Sequence, residues 1–163
     1  MTETISSPSV ATSLLIPVCL SGAPQPLELH PEPKHIFKLW QAFAENVNPL
    51  TKVIHTPTLQ QRILEISWNL ETVTRPLEAV MFGVYALAIT SMKPRDCVQV
   101  FGETRSVLLN RYRSGAAQAL IAAELHSTRD LEVLQAFVLF LVCPTYSRFA
   151  RGEFIRFNPF TVT

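Results

Sequence analysis

The sequence predicts an all-α protein, an antiparallel bundle or array of about six helices. Apolar residues recur at spacings of three and four over most of the chain, which is the period of one helix face. Prolines stand at the start of several segments, where a helix does not need the missing N–H group. Sustained alternation of apolar and polar residues is absent, and no Asn-Gly or Asp-Gly turn separates two apolar runs, so strands are not predicted.

The first two helices are expected after residue 30. The first has an apolar stripe that ends at Asn48-Pro49, because the residue before a proline avoids the helical region. Its stripe comprises Ile36, Trp40, Phe43 and Val47. Thr56 and Pro57 predict the N-cap and the first residue of the second helix. That helix has a stripe of Leu59, Ile63, Ile66 and Leu70.

Four more helices are predicted further along the chain. The third, Thr74 to Ser91, is apolar on nearly every face, which predicts a place at the centre of the helical layer. The fourth begins near Val98 and closes near Gly115, a residue that suits positive φ at a helix end. A short fifth helix is expected over residues 116–125, and the sixth over residues 129–142.

Three regions are therefore expected along the chain. Residues 1–29 are rich in serine, threonine and proline and predict a flexible, disordered leader. Residues 30–142 form the helical domain, which is long enough to bury a core. The Cys143-Pro144 step is predicted to stop the last helix, and residues 143–163 are expected to form an irregular tail.

The composition excludes several classes of protein. Apolar residues make up 48% of the chain and charged residues 17%. The charged fraction is below the roughly one quarter typical of globular proteins, which favours either an apolar surface that meets a partner or a chain that is a fragment. A net charge of +1 gives no general attraction to nucleic acid or anionic lipid. The three cysteines (Cys19, Cys97 and Cys143) lie too far apart in sequence to predict a disulfide scaffold or a zinc motif. The longest apolar run, Leu77–Met92, is shorter than a membrane span of about 20 residues, so no membrane contact is expected.

Several blocks of sequence occur in a recognisable order. The most specific is Asn48-Pro49-Leu50-Thr51-Lys52 followed by His55-Thr56-Pro57-Thr58-Leu59. The others are Leu29–Pro31, Ile36–Trp40, Glu78–Tyr85, Phe101–Glu103, Leu108–Arg113 and Asp130–Leu139. Together, over about residues 30–141, these blocks resemble the fungal-specific transcription factor domain, the middle homology region of the binuclear zinc-cluster transcription factors.

This resemblance implies the regulatory part of a fungal transcription factor, one that does not contact DNA itself and acts in the nucleus on RNA polymerase II transcription. It implies protein partners, as homodimers or heterodimers, and no catalytic residues, so no enzymatic activity is expected. The family's zinc belongs to a six-cysteine DNA-binding domain for which this sequence has no counterpart. No cofactor is therefore expected in this chain, and DNA is expected to be reached only indirectly.

The family's helical region also continues beyond its match to residues 130–139, so the chain is expected to be a truncated form. An alternative function stays open on the same residues. The chain is then a stand-alone helical interaction module, or a non-functional truncated paralogue, that pairs with intact regulators and dampens them.

The densest basic region provides the candidate site for a partner contact. Arg105, Arg111 and Arg113 lie close together in sequence, and Arg105 and Arg113 fall near one face of a helix with Glu103 alongside. These arginines are candidates for binding an acidic segment of a partner, or the DNA backbone. The alternative interpretation is a solvated helix face.

Other groups of reactive side chains have simpler interpretations. The histidines are too scattered for a metal site and are expected in caps and loops; they are His30, His35, His55 and His126. Cys97 is expected to fill space in the core, because no histidine lies near it in sequence to act as a base. The glutamates Glu65, Glu71, Glu78, Glu124 and Glu132 are expected on solvated faces. An aromatic set is expected in the core, with a small-molecule pocket as the alternative; it comprises Trp40, Phe43, Phe82, Tyr85 and Phe137.

Overall fold

The computed structural model describes residues 26–125 and 129–150, and for residues 26, 27 and 144–150 it describes the backbone alone. Over these ranges the regular structure is helical and no strand occurs, which confirms the all-α class. The predicted leader lies outside the described residues except for its end, where Pro26–Leu29 forms a 3-10 turn. Within the described ranges, no helix combines the length and the apolar character that a membrane crossing requires.

The described residues form seven α-helices. They are α1 (Pro33–Asn46), α2 (Asn48–Thr51), α3 (Thr56–Ile66), α4 (Arg75–Ser91), α5 (Pro94–Phe101), α6 (Arg105–Ala122) and α7 (Leu131–Ala150). A second 3-10 turn, Leu70–Thr72, precedes α4. Each of the helices α1 to α5 has a proline in its first two positions, because the N–H groups there lack a partner within the helix. The sequence predicts this for α1, α3 and α4, whereas Pro49 and Pro94 were expected to interrupt helices and instead lie in the first turns of α2 and α5.

Helix α4 lies at the centre of the fold. Every residue from Leu77 to Thr90 is buried, and α1, α6 and α7 pack around it. This confirms the prediction made from its apolar character on all faces. Fully burying one large aliphatic or aromatic side chain contributes about 1.5–3 kcal/mol, so α4 supplies much of the hydrophobic stabilisation.

The neighbours of α4 run in different directions. Phe82 meets Gly115 of α6, while the carbonyl of Ile89 meets Arg105, so α4 and α6 are antiparallel. Gly83 of α4 lies against Leu139 of α7, and Thr90, which is seven residues further along α4, lies against Cys143, which is further along α7. Helices α4 and α7 therefore run in the same direction. The three helices thus form a layer with α4 in the middle.

The helix end predicted at Gly115 is wrong. Helix α5 ends at Phe101, Gly102 adopts φ of +74°, and α6 then runs without a break through Gly115 to Ala122. A Cβ atom on Gly115 would lie 2.7 Å from two ring carbons of Phe82. Glycine is favoured at position 115 because α6 approaches Phe82 closely there. The left-handed conformation that was predicted for Gly115 occurs instead at Gly102.

The helix end predicted at Val142 is also wrong, because α7 continues through the Cys143-Pro144 step to Ala150. Proline inside a helix leaves one carbonyl without its N–H partner and costs about 3 kcal/mol. Burial of Cys143, whose sulfur lies 3.6 Å from the Thr90 hydroxyl, offsets part of this cost. Residues 151–163 lie outside the described residues, and the separation of residues 143–163 as a distinct region stays a prediction.

Candidate functional site

Arg105 begins α6 and closes the end of the central helix. Its Nε donates to the carbonyl of Ile89 at 3.1 Å, and the same guanidinium donates to the carbonyl of Thr90. These carbonyls belong to the last turn of α4, where no N–H group of the helix remains to bind them. The positive charge also opposes the partial negative charge at that helix end. Arg105 therefore caps α4.

Arg111 and Arg113 occupy different environments. Arg111 binds Glu103 with two hydrogen bonds, Nη1 to Oε1 at 2.9 Å and Nη2 to Oε2 at 2.6 Å, and the hydrogen bond raises the pKa of Arg111. Both side chains are about one third exposed, so the pair stabilises the fold by at most about 1 kcal/mol. The Nε atom of Arg113 is buried and has no hydrogen-bond partner among the described residues.

The three arginines therefore do not form one exposed basic patch. Arg105 and Arg113 lie on the same side of α6, near the buried thiol of Cys143, as their shared face predicts. Glu103, expected beside that face, binds Arg111 instead. Their proposed role in binding an acidic partner stays a prediction, and the structure gives Arg105 and Arg111 intramolecular partners.

A buried polar network, which the sequence does not reveal as a unit, joins the start of the domain to α4. Nδ1 of His30 lies 3.3 Å from the hydroxyl of Tyr85, and Nε2 of His30 lies 3.7 Å from Oε1 of Glu78. Arg75 donates to Oε2 of Glu78 at 3.0 Å. The imidazole of His30 also stacks on Phe82, with the ring centroids 4.4 Å apart.

The network keeps a carboxylate ionised inside the protein. Glu78 is 1% exposed, so its expected place on a solvated face is wrong. Burial acts to raise the pKa of Glu78, but the interactions with His30 and Arg75 together outweigh it and hold the pKa below its ordinary value. Burial raises the pKa of Tyr85, which lies beside Glu78, well above its ordinary value, and raises the pKa of Tyr112, whose ring contacts that of Tyr85, to about 12, so both hydroxyls stay neutral.

One sequence signal points to this network. Glu78 is the single acidic residue in an otherwise apolar helix, and a charged residue in a buried helix requires a partner. The partner comes from Arg75, three residues earlier, and from His30, which is distant in sequence. His30 lies in the loop before α1, as expected, and its side chain is fully buried there.

The most specific sequence block forms a well-connected turn between α2 and α3. Lys52 takes a left-handed conformation with φ of +46°, and Asn48 donates to the hydroxyl of Thr56 at 2.7 Å. His55 and Thr58 share a hydrogen bond of 2.8 Å, and Gln135 of α7 donates to the carbonyl of Val53 at 3.0 Å. The polar residues of this block therefore hold the turn in its conformation, and the turn is attached to α7 through Gln135.

The remaining candidate groups belong to the core. Cys97 is buried, as predicted, and burial raises the pKa of its thiol. Four members of the aromatic set are buried, and Phe137 is partly buried against the core; the four are Trp40, Phe43, Phe82 and Tyr85. Among the described residues, no group of three or more histidine, cysteine, aspartate or glutamate side chains is placed to hold a metal ion.

Comparison with known proteins gives a consistent group of relatives. The chain is 42% identical over 127 residues to the transcriptional regulator nsrM of Aspergillus novofumigatus, covering 76% of this chain and 18% of the relative. It is 39% identical over 123 residues to the pyriculol/pyriculariol biosynthesis cluster transcription factor 1 of Pyricularia oryzae, covering 73% and 16%. It is 42% identical over 113 residues to the aurofusarin cluster transcription factor aurR2 of Gibberella zeae, covering 69% and 17%.

The match covers only a small part of each relative's length. The chain spans less than one fifth of the length of these curated relatives. No family model matches it, so the assignment to the middle homology region stays a prediction. No solved structure matches it either. Most of this chain is therefore homologous to one segment of fungal transcription regulators.

Proposed function

We propose that this chain is a regulatory part of a fungal transcription factor, one that works in the nucleus through contacts with other proteins and reaches DNA only indirectly. The observation that carries the proposal is the identity of about 40% to three fungal transcription regulators over more than one hundred residues. The names of two of these relatives tie them to biosynthetic gene clusters, so control of one such cluster is the process in which we expect this chain to act.

The surface of the protein fits a role in protein contact. Twelve large apolar side chains are exposed among the described residues, including Trp68 at 83%. With a net charge of +1, the chain lacks the basic character that phosphate binding requires. Among the described residues, the groups with the largest pKa shifts are Tyr85 and Tyr112, which are buried in the packing around α4 and do not lie on this surface.

A reporter experiment tests the regulatory role. The full chain is fused to an unrelated DNA-binding domain and expressed in a fungal host, and transcription from a promoter with the matching site is measured. We expect a change of several-fold in either direction relative to the DNA-binding domain alone. The matched control is the same fusion with Ala79→Pro, which breaks the central helix and should abolish the effect. A folded nuclear fusion with no effect on transcription would contradict the proposal.

The alternative is a separate module that pairs with intact regulators and dampens them, and the twelve apolar side chains exposed among the described residues suit such pairing. Co-expression of the unfused chain with an intact regulator, such as the nsrM relative, distinguishes the two functions. A dampening module lowers transcription from that regulator's target promoter when it is supplied separately. A regulatory part that acts only on the DNA-binding domain joined to it leaves that transcription unchanged.

A further inference from the structure

A cleft of about 350 Å³ opens to solvent where α1, the end of α4 and the start of α5 meet. Ala42 and Met92 form its apolar surface, and both also pack against the hydrophobic core. The other side chains that line the cleft are polar or charged. An apolar surface with a few convergent polar groups, in a volume of about 300–1,000 Å³, is typical of sites for small molecules.

Each side of the cleft carries one cation and one anion. On α1 these are Lys38 and Glu45, which lie two turns apart and so share one face of the helix. On the other side they are Lys93 and Asp96, at the start of α5. None of the four forms an ion pair within the described part of the chain. The cleft is therefore neutral overall and has charges of both signs available to a ligand.

Contacts at the two ends of α1 show how the sides of the cleft are aligned. The ring of His35, in the first turn of α1, has its centroid 5.1 Å from that of Phe101, the last residue of α5. At the other end of α1, the side-chain amide of Asn46 donates to the hydroxyl of Ser91, which ends α4 shortly before α5 begins, at 3.3 Å. Helices α1 and α5 therefore run in opposite directions along the cleft.

This alignment brings opposite charges to each end of the cleft. Glu45 and Lys93 lie toward one end, and Lys38 and Asp96 lie toward the other. A simple anion in the cleft is repelled by the carboxylates as well as attracted by the lysines, and a simple cation meets the reverse. A molecule with both an ammonium group and a carboxylate can pair with a side chain of each sign at the same time. The charges therefore favour a zwitterion.

From this arrangement we propose that the cleft binds a small zwitterion of the amino-acid type, with an apolar side chain that lies against Ala42 and Met92. The lysines bind the carboxylate of the ligand, and Glu45 and Asp96 bind its ammonium group. The inference rests on the proposed function and deepens it, because it names a class of ligand to which the regulatory chain responds. A ligand with so few atoms binds weakly, with a dissociation constant on the order of 1 mM.

Titration of the isotope-labelled full chain with L-valine, followed by NMR of the backbone amides, tests the site. We expect saturable shifts of the signals of residues that line the cleft, and a dissociation constant raised about five-fold or more by Glu45→Gln and by Lys93→Gln. The matched control is Lys34→Gln, because Lys34 is exposed on α1 and does not line the cleft. That variant should bind like the natural chain, and the same spectra verify that all three variants remain folded.

Two simpler probes test the requirement for both charges. Acetate carries the anionic group alone, and methylammonium carries the cationic group alone. We expect neither probe to give saturable shifts at the cleft over the concentrations at which L-valine saturates it. Acetate or methylammonium that binds as tightly as L-valine would overturn the assignment to a zwitterion.

Two results with L-valine would overturn the site itself. One is the absence of saturable shifts among the residues that line the cleft. The other is binding that Lys34→Gln weakens as much as Lys93→Gln does. Since the titration measures binding alone, a chain that binds no L-valine but still alters the reporter would reject the site and leave the regulatory role intact.

Discussion

At the scale of single residues, the most informative position is Glu78. The carboxylate lies in the most buried helix of the protein, where an unpaired charge costs several kcal/mol. Arg75 reaches it from the first turn of the same helix, and His30 approaches it from the segment that precedes α1. The network therefore fixes the start of the domain against α4.

The stability of this network should depend on pH. Because the folded pKa of Glu78 lies below the unfolded value near 4.5, the unfolded chain binds more protons in that range. The contribution is thus present at neutral pH and is lost as the pH falls through the folded pKa. We expect Glu78→Gln to lower the free energy of unfolding at pH 7 by roughly 1–3 kcal/mol, with a smaller difference below pH 4.

Urea unfolding of both proteins at a series of pH values measures this difference. The control is Glu65→Gln, because Glu65 is exposed on α3 and should change the free energy of unfolding by less than about 0.5 kcal/mol. A constant difference between Glu78→Gln and the natural chain from pH 7 to pH 3 would show that the charge of Glu78 contributes nothing.

A second residue-scale prediction concerns Gly115, where two effects have opposite signs. Replacing glycine by alanine in a helix interior stabilises the helix by up to about 1 kcal/mol. A Cβ atom at this position would lie 2.7 Å from two carbons of the Phe82 ring, and forcing a buried ring aside costs about 1–3 kcal/mol. Because the second effect is larger, we expect Gly115→Ala to lower the midpoint of thermal unfolding.

The neighbouring residue provides the control for Gly115. Ser114 is exposed on the same helix, so Ser114→Ala should leave the midpoint almost unchanged or raise it slightly. A higher midpoint for Gly115→Ala would mean that α6 does not approach Phe82 closely in solution.

At the scale of elements, α4 is completed by residues outside it. Its Thr74 N-cap makes no side-chain hydrogen bond, and its C-terminal carbonyls of Ile89 and Thr90 bind Arg105 of α6. Each backbone group in a buried helix end needs such a partner, because water is excluded there. The contact also joins the start of α6 to the end of α4.

Removing this cap should cost more than removing a neighbouring ion pair. We expect Arg105→Ala to lower the free energy of unfolding by roughly 1–3 kcal/mol, since it leaves two carbonyls without their charged donor. Arg111→Ala breaks the pair with Glu103, in which both side chains are about one third exposed, and should cost less than about 1 kcal/mol. Chemical unfolding of the two variants measures both effects, and an equal loss would show that Arg105 is not a cap.

At the scale of the whole molecule, the protein is organised around one helix that three others cover. The exposed apolar residues of α7 lie on the side that this layer leaves open. The weak overall charge fits the same picture, since a surface with few charges is suited to contact with protein rather than with nucleic acid.

The composition of the chain also leads to a prediction about metal. The three cysteines lie far apart in sequence, and Cys97 and Cys143 are buried with thiol pKa values that burial raises, which disfavours the thiolate that zinc requires. We expect elemental analysis of the purified chain to find far less than one zinc ion per molecule. Two ions per chain, retained after dialysis against a chelator, would contradict this expectation.

The regular part of the fold could be predicted from the sequence because it depends on local chemistry. The helical period, the proline-bearing helix starts and the central position of α4 all follow from nearby residues. The candidate site could be predicted only in part. The shared face of Arg105 and Arg113 follows from the helical repeat. The spacing of residues along α6 does not reveal the α4 carbonyls that Arg105 binds or the thiol of Cys143 on α7 that lies near both arginines.

The sequence by itself therefore determined the helical class, the start of most helices and the homology to fungal transcription regulators. Only the tertiary structure decided that Gly115 continues a helix, that α7 extends through Pro144, and that His30 and Glu78 meet in the core. The physical reason is the same in each case. The local helix preference of a residue amounts to less than about 1 kcal/mol for most residue types and to about 1–3 kcal/mol for glycine and proline. Contacts between distant segments supply comparable or larger energies that no local pattern contains.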